Sequence, residues 1–179
     1  MLVTNQLHCK MKQHLIQTNE VVISGRPMGN NINEERLLAY ITEVEMMSIK
    51  PVLGDKLYHH LLQDDIDESL EKLLSGGSYV YRGDVFHFTG LKATISYYVF
   101  AKNVMVGDFQ PTRYGVVLKE SDYSTHISTA ERSSCYNDTI EVANSYLQDC
   151  IDYCKRIGLI SNGIGKSTSS GGIKIRKIG

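Results

Sequence analysis

The sequence predicts a mainly α-helical fold: a small helical bundle with a bent helix pair, one long C-terminal helix and a minor β-hairpin, plus an extended C-terminal tail. Three observations carry this. Apolar residues recur near the 3.6-residue period in four segments. One stretch, Tyr79 to Phe88, is aromatic and β-branched and alternates instead. Beyond Gly158 the chain turns Gly- and Ser-rich, then basic.

The bent pair spans Glu34 to Leu62. Leu37, Leu38, Ile41, Val44 and Ile49 make the stripe of its first helix. Asn31 or Asn33 can cap it, and Glu34 and Glu35 occupy the first turn, where the helix dipole favours anions. Pro51 has no N–H and biases Lys50 away from helical angles, so this helix is expected to stop there. Gly54 permits a reversal, after which Leu57, Leu61 and Leu62 restart the apolar face.

Before the pair, Leu7, Met11, Leu15 and Ile16 recur at helical spacing within residues 6–17, predicting a short helix. Val21-Val22-Ile23 reads as a brief β-like run, and Ser24 to Asn31 as loop. After the pair, Asp64-Asp65-Ile66-Asp67-Glu68 opens a third short helix that ends at Gly76-Gly77. Tyr79-Val80-Tyr81 and Val85-Phe86-His87-Phe88 flank Arg82-Gly83-Asp84, a hairpin with its turn. Thr89 caps a helix to about Gly107 with Leu91, Ile95, Tyr98, Lys102 and Met105 near one face. That helix is apolar over most of its circumference, which places it centrally.

Residues 108–127 read as a long connection centred on Thr112-Arg113-Tyr114-Gly115-Val116-Val117-Leu118-Lys119. Connections of this length inside compact domains are functional or interfacial. Tyr114, Val116, Val117 and Leu118 are too apolar for idle exposure and are assigned to partner binding. The last helix runs from about Ser128 to Ile157, with Tyr136, Ile140, Ala143, Leu147, Ile151 and Cys154 as its stripe and Gly158 as its stop.

The chain therefore divides into a helical domain, residues 1–157, and a basic tail, residues 158–179. Its 179 residues, 42% hydrophobic and 22% charged, suit one soluble globular domain. No apolar run approaches the roughly 20 residues of a membrane span, and the first twelve residues lack a signal-peptide core. The net charge of −1 hides an asymmetry. The tail holds Lys166, Lys174, Arg176 and Lys177 with no acid, leaving fifteen basic and twenty acidic residues in the body. An acidic body argues against a large duplex-binding surface. In the tail, Ile173 and Ile175 alternate with Lys174 and Arg176, a pattern suited to strand addition at a neighbour's sheet edge, and these four residues are also assigned to partner binding.

The motifs that invite chemistry resolve into blander readings. Gly165-Lys166-Ser167 lacks the upstream glycine of a phosphate loop, because Ile160 stands there, and reads as linker. Cys150 and Cys154, one helical turn apart, lack a second close ligand pair and read as small packed residues; the four cysteines, with Cys9 and Cys135, are expected as free thiols. His59-His60 point to different sides of a helix turn. Asn137-Asp138-Thr139 matches a glycosylation sequon but falls inside a predicted helix. No Ser, Cys or Asp has a recognisable elbow or base nearby. No catalytic, cofactor-binding or metal-ligating residue is assigned.

The ordered set as a whole resembles a known family. It comprises Tyr40-Ile41, Ile49-Lys50-Pro51-Val52-Leu53-Gly54, Gly90-Leu91 opening a helix with Tyr97-Tyr98 and Ala101, Thr112-Arg113-Tyr114-Gly115-Val116-Val117 with Lys119, and a long terminal helix. Over residues 1–157 it resembles the head–tail connector (adaptor) proteins of tailed bacteriophages, with the flavour of the ring proteins of Bacteroides and crAss-like phages. The resemblance implies a non-catalytic virion subunit in a ring, usually of twelve copies, at the phage neck. Such a ring meets the portal protein on one side and downstream neck or tail proteins on the other, and DNA passes through it without sequence-specific binding. A small helical protein-binding module or regulator with no virion role is the alternative, and an enzyme built from histidines gathered by folding is a third.

Overall fold

The computed structural model describes residues 11–28, 32–106, 109–113, 115–118 and 128–160. The elements are α1 (Thr18–Ser24), α2 (Glu34–Val44), a π-helical turn (Glu45–Ile49), α3 (Lys50–Leu53), α4 (Asp55–Leu61), α5 (Glu68–Ser75), β1 (Gly77–Tyr81), β2 (Asp84–Phe88), α6 (Gly90–Val106), β3 (Phe109–Thr112), β4 (Gly115–Leu118) and α7 (Thr129–Arg156). The architecture is mainly helical, with a long C-terminal helix and an antiparallel β1–β2 hairpin, as the periodicity predicts.

Helix α6 is the centre. None of its seventeen residues is exposed, and Leu91, Ile95, Val99 and Ala101 are fully buried. α7 lies along it, contributing Ile140, Ala143, Leu147, Cys150 and Cys154, while α1, α2 and α5 pack around the remainder. Two buried hydroxyls are absorbed by the helix itself: Thr94 Oγ1 donates to Gly90 O and Ser96 Oγ to Lys92 O. At the periphery Arg26 pairs with Asp138 of α7, and Lys92 of α6 pairs with Glu20 of α1.

Local signals place most helix ends. The Asn33 side chain accepts from Arg36 N, choosing between the two candidate caps. Asp67 accepts from Leu70 N, so α5 starts at Glu68 rather than at the first acid of its run. Ser128 and Glu131 close a reciprocal capping box on α7. At the other end Leu159 N donates to Cys154 O and Ile160 is buried, so the packed body continues two residues past Gly158.

Four expectations are corrected. Residues 11–17 are not helical: Met11 bridges to Gln63, Lys12 N donates to Leu62 O, and Leu15 N donates to a carboxylate, so tertiary partners take the backbone groups a helix would have used. Residues 21–23 lie in α1 rather than in a β-like run. Gln17 N donates to Glu20 there, and Val21 is buried while Ile23 is 81% exposed, so capping and one-sided burial outweigh β-branched preference. Pro51 does not stop the helix. Lys50 stays helical (φ −56°, ψ −43°), and its N–H reaches Glu45 O, one residue farther back than in an α-helix. The π-turn opens the ladder where the proline ring would press on the preceding turn, and Pro51 then sits in the first turn of α3, where its missing N–H is no loss. The chain instead breaks at Gly54. Finally, the predicted connection contains a second antiparallel hairpin, β3–β4.

The base of the β1–β2 hairpin depends on a backbone crossing. Gly76 and Gly90 both adopt positive φ (82° each) and touch across the point where the chain enters and leaves the hairpin. A Cβ on Gly90 would overlap Gly76 N and lie 2.7 Å from Leu74 O; one on Gly76 would lie 2.5 Å from Thr89 O. Helix propensity alone makes Gly90→Ala favourable by up to about 1 kcal/mol. The crossing predicts the opposite, a loss of roughly 2–4 kcal/mol. Urea unfolding monitored by circular dichroism distinguishes the two signs.

Candidate assembly surfaces

The β3–β4 arm lies between α6 and α7 in chain order. Its register pairs Phe109 with Leu118, Gln110 with Val117, Pro111 with Val116 and Thr112 with Gly115. Thr112 and Gly115 close the ribbon as the hydrogen-bonded pair, so Pro111 falls at a non-bonded position where its missing N–H costs no ladder bond. Beyond its own pairing, the arm shares no extensive contact with another described element. Val116, Val117 and Leu118 are thus on β4, while Tyr114 and the tail residues Ile173, Lys174, Ile175 and Arg176 lie outside the described residues.

A second surface is the groove where the π-turn meets α6 and α7. It is about 220 Å³, lined by Val44, Met47, Tyr98, Tyr136 and Ile140, with the Glu43–Lys102 ion pair at its rim. Met47 is 65% exposed beside it and Met46 42%. Burial pushes the Tyr98 hydroxyl up to about 12, and that hydroxyl donates to Asn144 Oδ1 at 2.6 Å. Tyr98 is therefore a neutral donor holding α6 to α7 at the groove floor.

The structure also holds a polar node that sequence reasoning missed. Glu45, the first residue of the π-turn, is fully buried. Its Oε1 accepts from Leu15 N at 2.7 Å, its Oε2 accepts from Tyr58 Oη at 2.9 Å, and His14 Nδ1 stands 3.3 Å from Oε2. Burial raises the Glu45 carboxyl above its ordinary value, and the Leu15 amide, the Tyr58 hydroxyl and His14 partly offset this. The Tyr58 hydroxyl is raised as well, by burial and by the adjacent carboxylate. With both oxygens accepting from protein donors, Glu45 fastens residues 14 and 15 to α4, and its full burial keeps it from solvent. A glutamate in an unbroken helical pattern carries no mark of burial in sequence.

The remaining candidates for chemistry are packed away. Cys150 and Cys154 are buried, and burial pushes both thiols up to about 12, so neither supplies a thiolate near neutrality. His59 and His60 are both exposed on α4. Arg82 and Gly83 form the two-residue hairpin turn, and Asn137 lies within α7. Among the described residues no three His, Cys, Asp or Glu side chains are grouped to hold a metal ion, and no helix is long and apolar enough to cross a membrane.

Fold and surfaces together define a small α-helical domain bearing two β-ribbons. Residues 49–157 match a family described as a family of unknown function (DUF6712), and the chain belongs to that family. The match begins at the last residue of the π-turn and ends just past α7, so it includes α6, both ribbons and the groove's Tyr98, Lys102, Tyr136 and Ile140. α1, α2 and Glu45 lie before it. No curated protein and no solved structure matches the chain.

The node yields a pH dependence. The Glu45 carboxyl is raised in the folded state, so its contribution to stability is fully present below its ordinary value near 4.5 and is lost as pH rises through the folded value. Glu45→Gln cannot titrate. Stability curves of the two proteins from about pH 4 to about pH 7 are expected to differ in slope by up to about 1.4 kcal/mol per pH unit within that window, the wild type losing more as pH rises. Parallel curves would show that Glu45 titrates as it does in the unfolded chain.

Proposed function

We propose that this protein is a structural subunit that assembles with copies of itself into a ring at the neck of a tailed phage virion, joining the portal to the tail and extending the DNA channel. The observation that carries the reading is the β3–β4 arm. A two-stranded ribbon is marginal in water without a third strand or a packed face, and this one shares no extensive contact with another described element. A surface of another subunit would complete it. An arm on one copy meeting a different patch on the next is a heterologous contact, the kind that closes into rings. The resemblance over residues 1–157 supports the same role, and the acidic body suits a channel through which DNA passes without being gripped. The reading gives the chain no catalytic step, cofactor or metal, and places it in the virion after synthesis in the host cytoplasm.

The groove beside Met47 favours a second reading, a small helical binding module without a virion role, because exposed methionines suit adaptable partner surfaces. Sedimentation and negative-stain microscopy of the purified protein, alone and with portal, separate the two. The ring reading expects closed oligomers or portal-bound rings, whereas a protein that stays monomeric in both mixtures belongs to the second reading. In the ring case Val117→Asp/Leu118→Asp is expected to abolish assembly while leaving the helical circular dichroism unchanged. Normal rings from that variant would remove the arm from the interface.

A further inference from the structure

The β1–β2 ribbon has two unlike faces. Tyr79, Tyr81, Phe86 and Phe88 alternate onto the face toward α7. There Phe88 stacks on Tyr153 with centroids 4.6 Å apart, and Arg156 lies 3.9 Å over the Phe86 ring and donates to Tyr79 Oη at 2.7 Å. The opposite face carries Ser78, Val80, Val85 and His87, all exposed. Val80 and Val85 are direct cross-strand partners, 69% and 60% exposed.

The two-residue turn fixes the hydrogen-bonding phase. Tyr81–Asp84, Tyr79–Phe86 and Gly77–Phe88 exchange backbone bonds, so the amides and carbonyls of Ser78 and Val80 point out of the β1 edge. Among the described residues no backbone group bonds them. α7 covers the aromatic face, meeting both strands through Tyr153 and Arg156, so the outward backbone groups of Ser78 and Val80 leave the β1 edge open among the described residues. An open edge beside an exposed valine pair is a template for a further strand.

The chain supplies a candidate at this spot. Arg156, the last residue of α7, lies on the ribbon itself, and the described body ends four residues later at Ile160. Twelve residues, 161–172, separate Ile160 from Ile173. Extended, they reach at most about 40 Å, against roughly 17 Å for the length of a five-residue strand. We propose that Ile173 to Arg176 adds to the β1 edge of its own chain as a third strand, with Ile173 and Ile175 continuing the Val80–Val85 face. Lys174 and Arg176 then fall on the aromatic side near Tyr81, where their stems cover ring surface and their heads reach water. Arg82 and Arg156 already flank Tyr81, so charge does not drive the docking. Backbone bonds and the burial of isoleucine against valine do. The short tether favours the same chain over a neighbour through its effective concentration.

Amide hydrogen exchange followed by NMR on the full chain tests this. The Ser78 and Val80 amides are expected to be protected in the wild type, and to lose about tenfold or more of that protection in Ile173→Asp/Ile175→Asp. The Tyr79 and Phe86 amides, bonded within the ribbon, are expected to stay unchanged, and Ile175→Val to behave as wild type. Protection is expected to survive about 1 M salt, since screening acts on charges and not on strand pairing. Four results overturn the proposal: unprotected Ser78 and Val80 amides in the wild type, equal protection in the double variant, or loss in salt, which points to docking of the basic tail on an acidic surface. The fourth is protection that grows with protein concentration, which gives the edge to a second copy.

Discussion

Helix α6 presents buried or half-buried residues around its whole circumference, and the positions of its neighbours follow from the need to cover it. A helix of this kind cannot sit at a surface, because each uncovered leucine or isoleucine would forgo roughly 1.5–3 kcal/mol of burial. α7 takes the longest side, and α1, α2 and α5 take the rest. The ribbons and groove are carried on this assembly, since β2 feeds directly into α6, β3 leaves from its end, and the groove is floored by its Tyr98.

One polar group is embedded in this apolar arrangement. Glu45 enters where the helical ladder widens into a π-turn, and the same widening lets the chain pass through Pro51 without breaking. Glu45 lies four residues after Ile41 and continues the buried face of α2, while Met46 and Met47 are exposed and Met47 borders the groove. A buried carboxylate is costly unless donors surround it. Those donors come from α4 and from the segment before α1, which has no regular structure of its own and packs Leu15 and Ile16 into the core. The π-turn thus couples a local backbone irregularity to the attachment of the N-terminal segment.

The two ribbons differ in how they are held. β1–β2 is anchored through Phe88, Tyr79 and Arg156, and Val80 and Val85 of its outer face are exposed among the described residues. β3–β4 pairs with itself and shares no extensive contact with another described element. The two ribbons thus sit on the same helical body under different restraints, and Cys150 and Cys154 are buried within it.

Much of the fold was legible in the chain itself, because it rests on local rules. The period of Leu91, Ile95 and Tyr98 marked a central helix, Ser128 the start of α7, and the alternation of Tyr79 to Phe88 a hairpin, whose turn is Arg82-Gly83 with Asp84 paired in β2 rather than the three-residue Arg82-Gly83-Asp84. The apolar character of Val116 to Leu118 singled out the segment that forms the arm, though not its pairing. Tertiary structure decided the remainder, and in each case a partner distant in sequence was responsible. Val21 became helical because a core awaited it, and residues 11–17 stayed irregular because Leu62, Gln63 and Glu45 took their hydrogen bonds. Pro51 was tolerated because the ladder had already opened. Glu45 was buried because Leu15, His14 and Tyr58 converge on it from positions up to 31 residues away, a convergence that no local periodicity encodes.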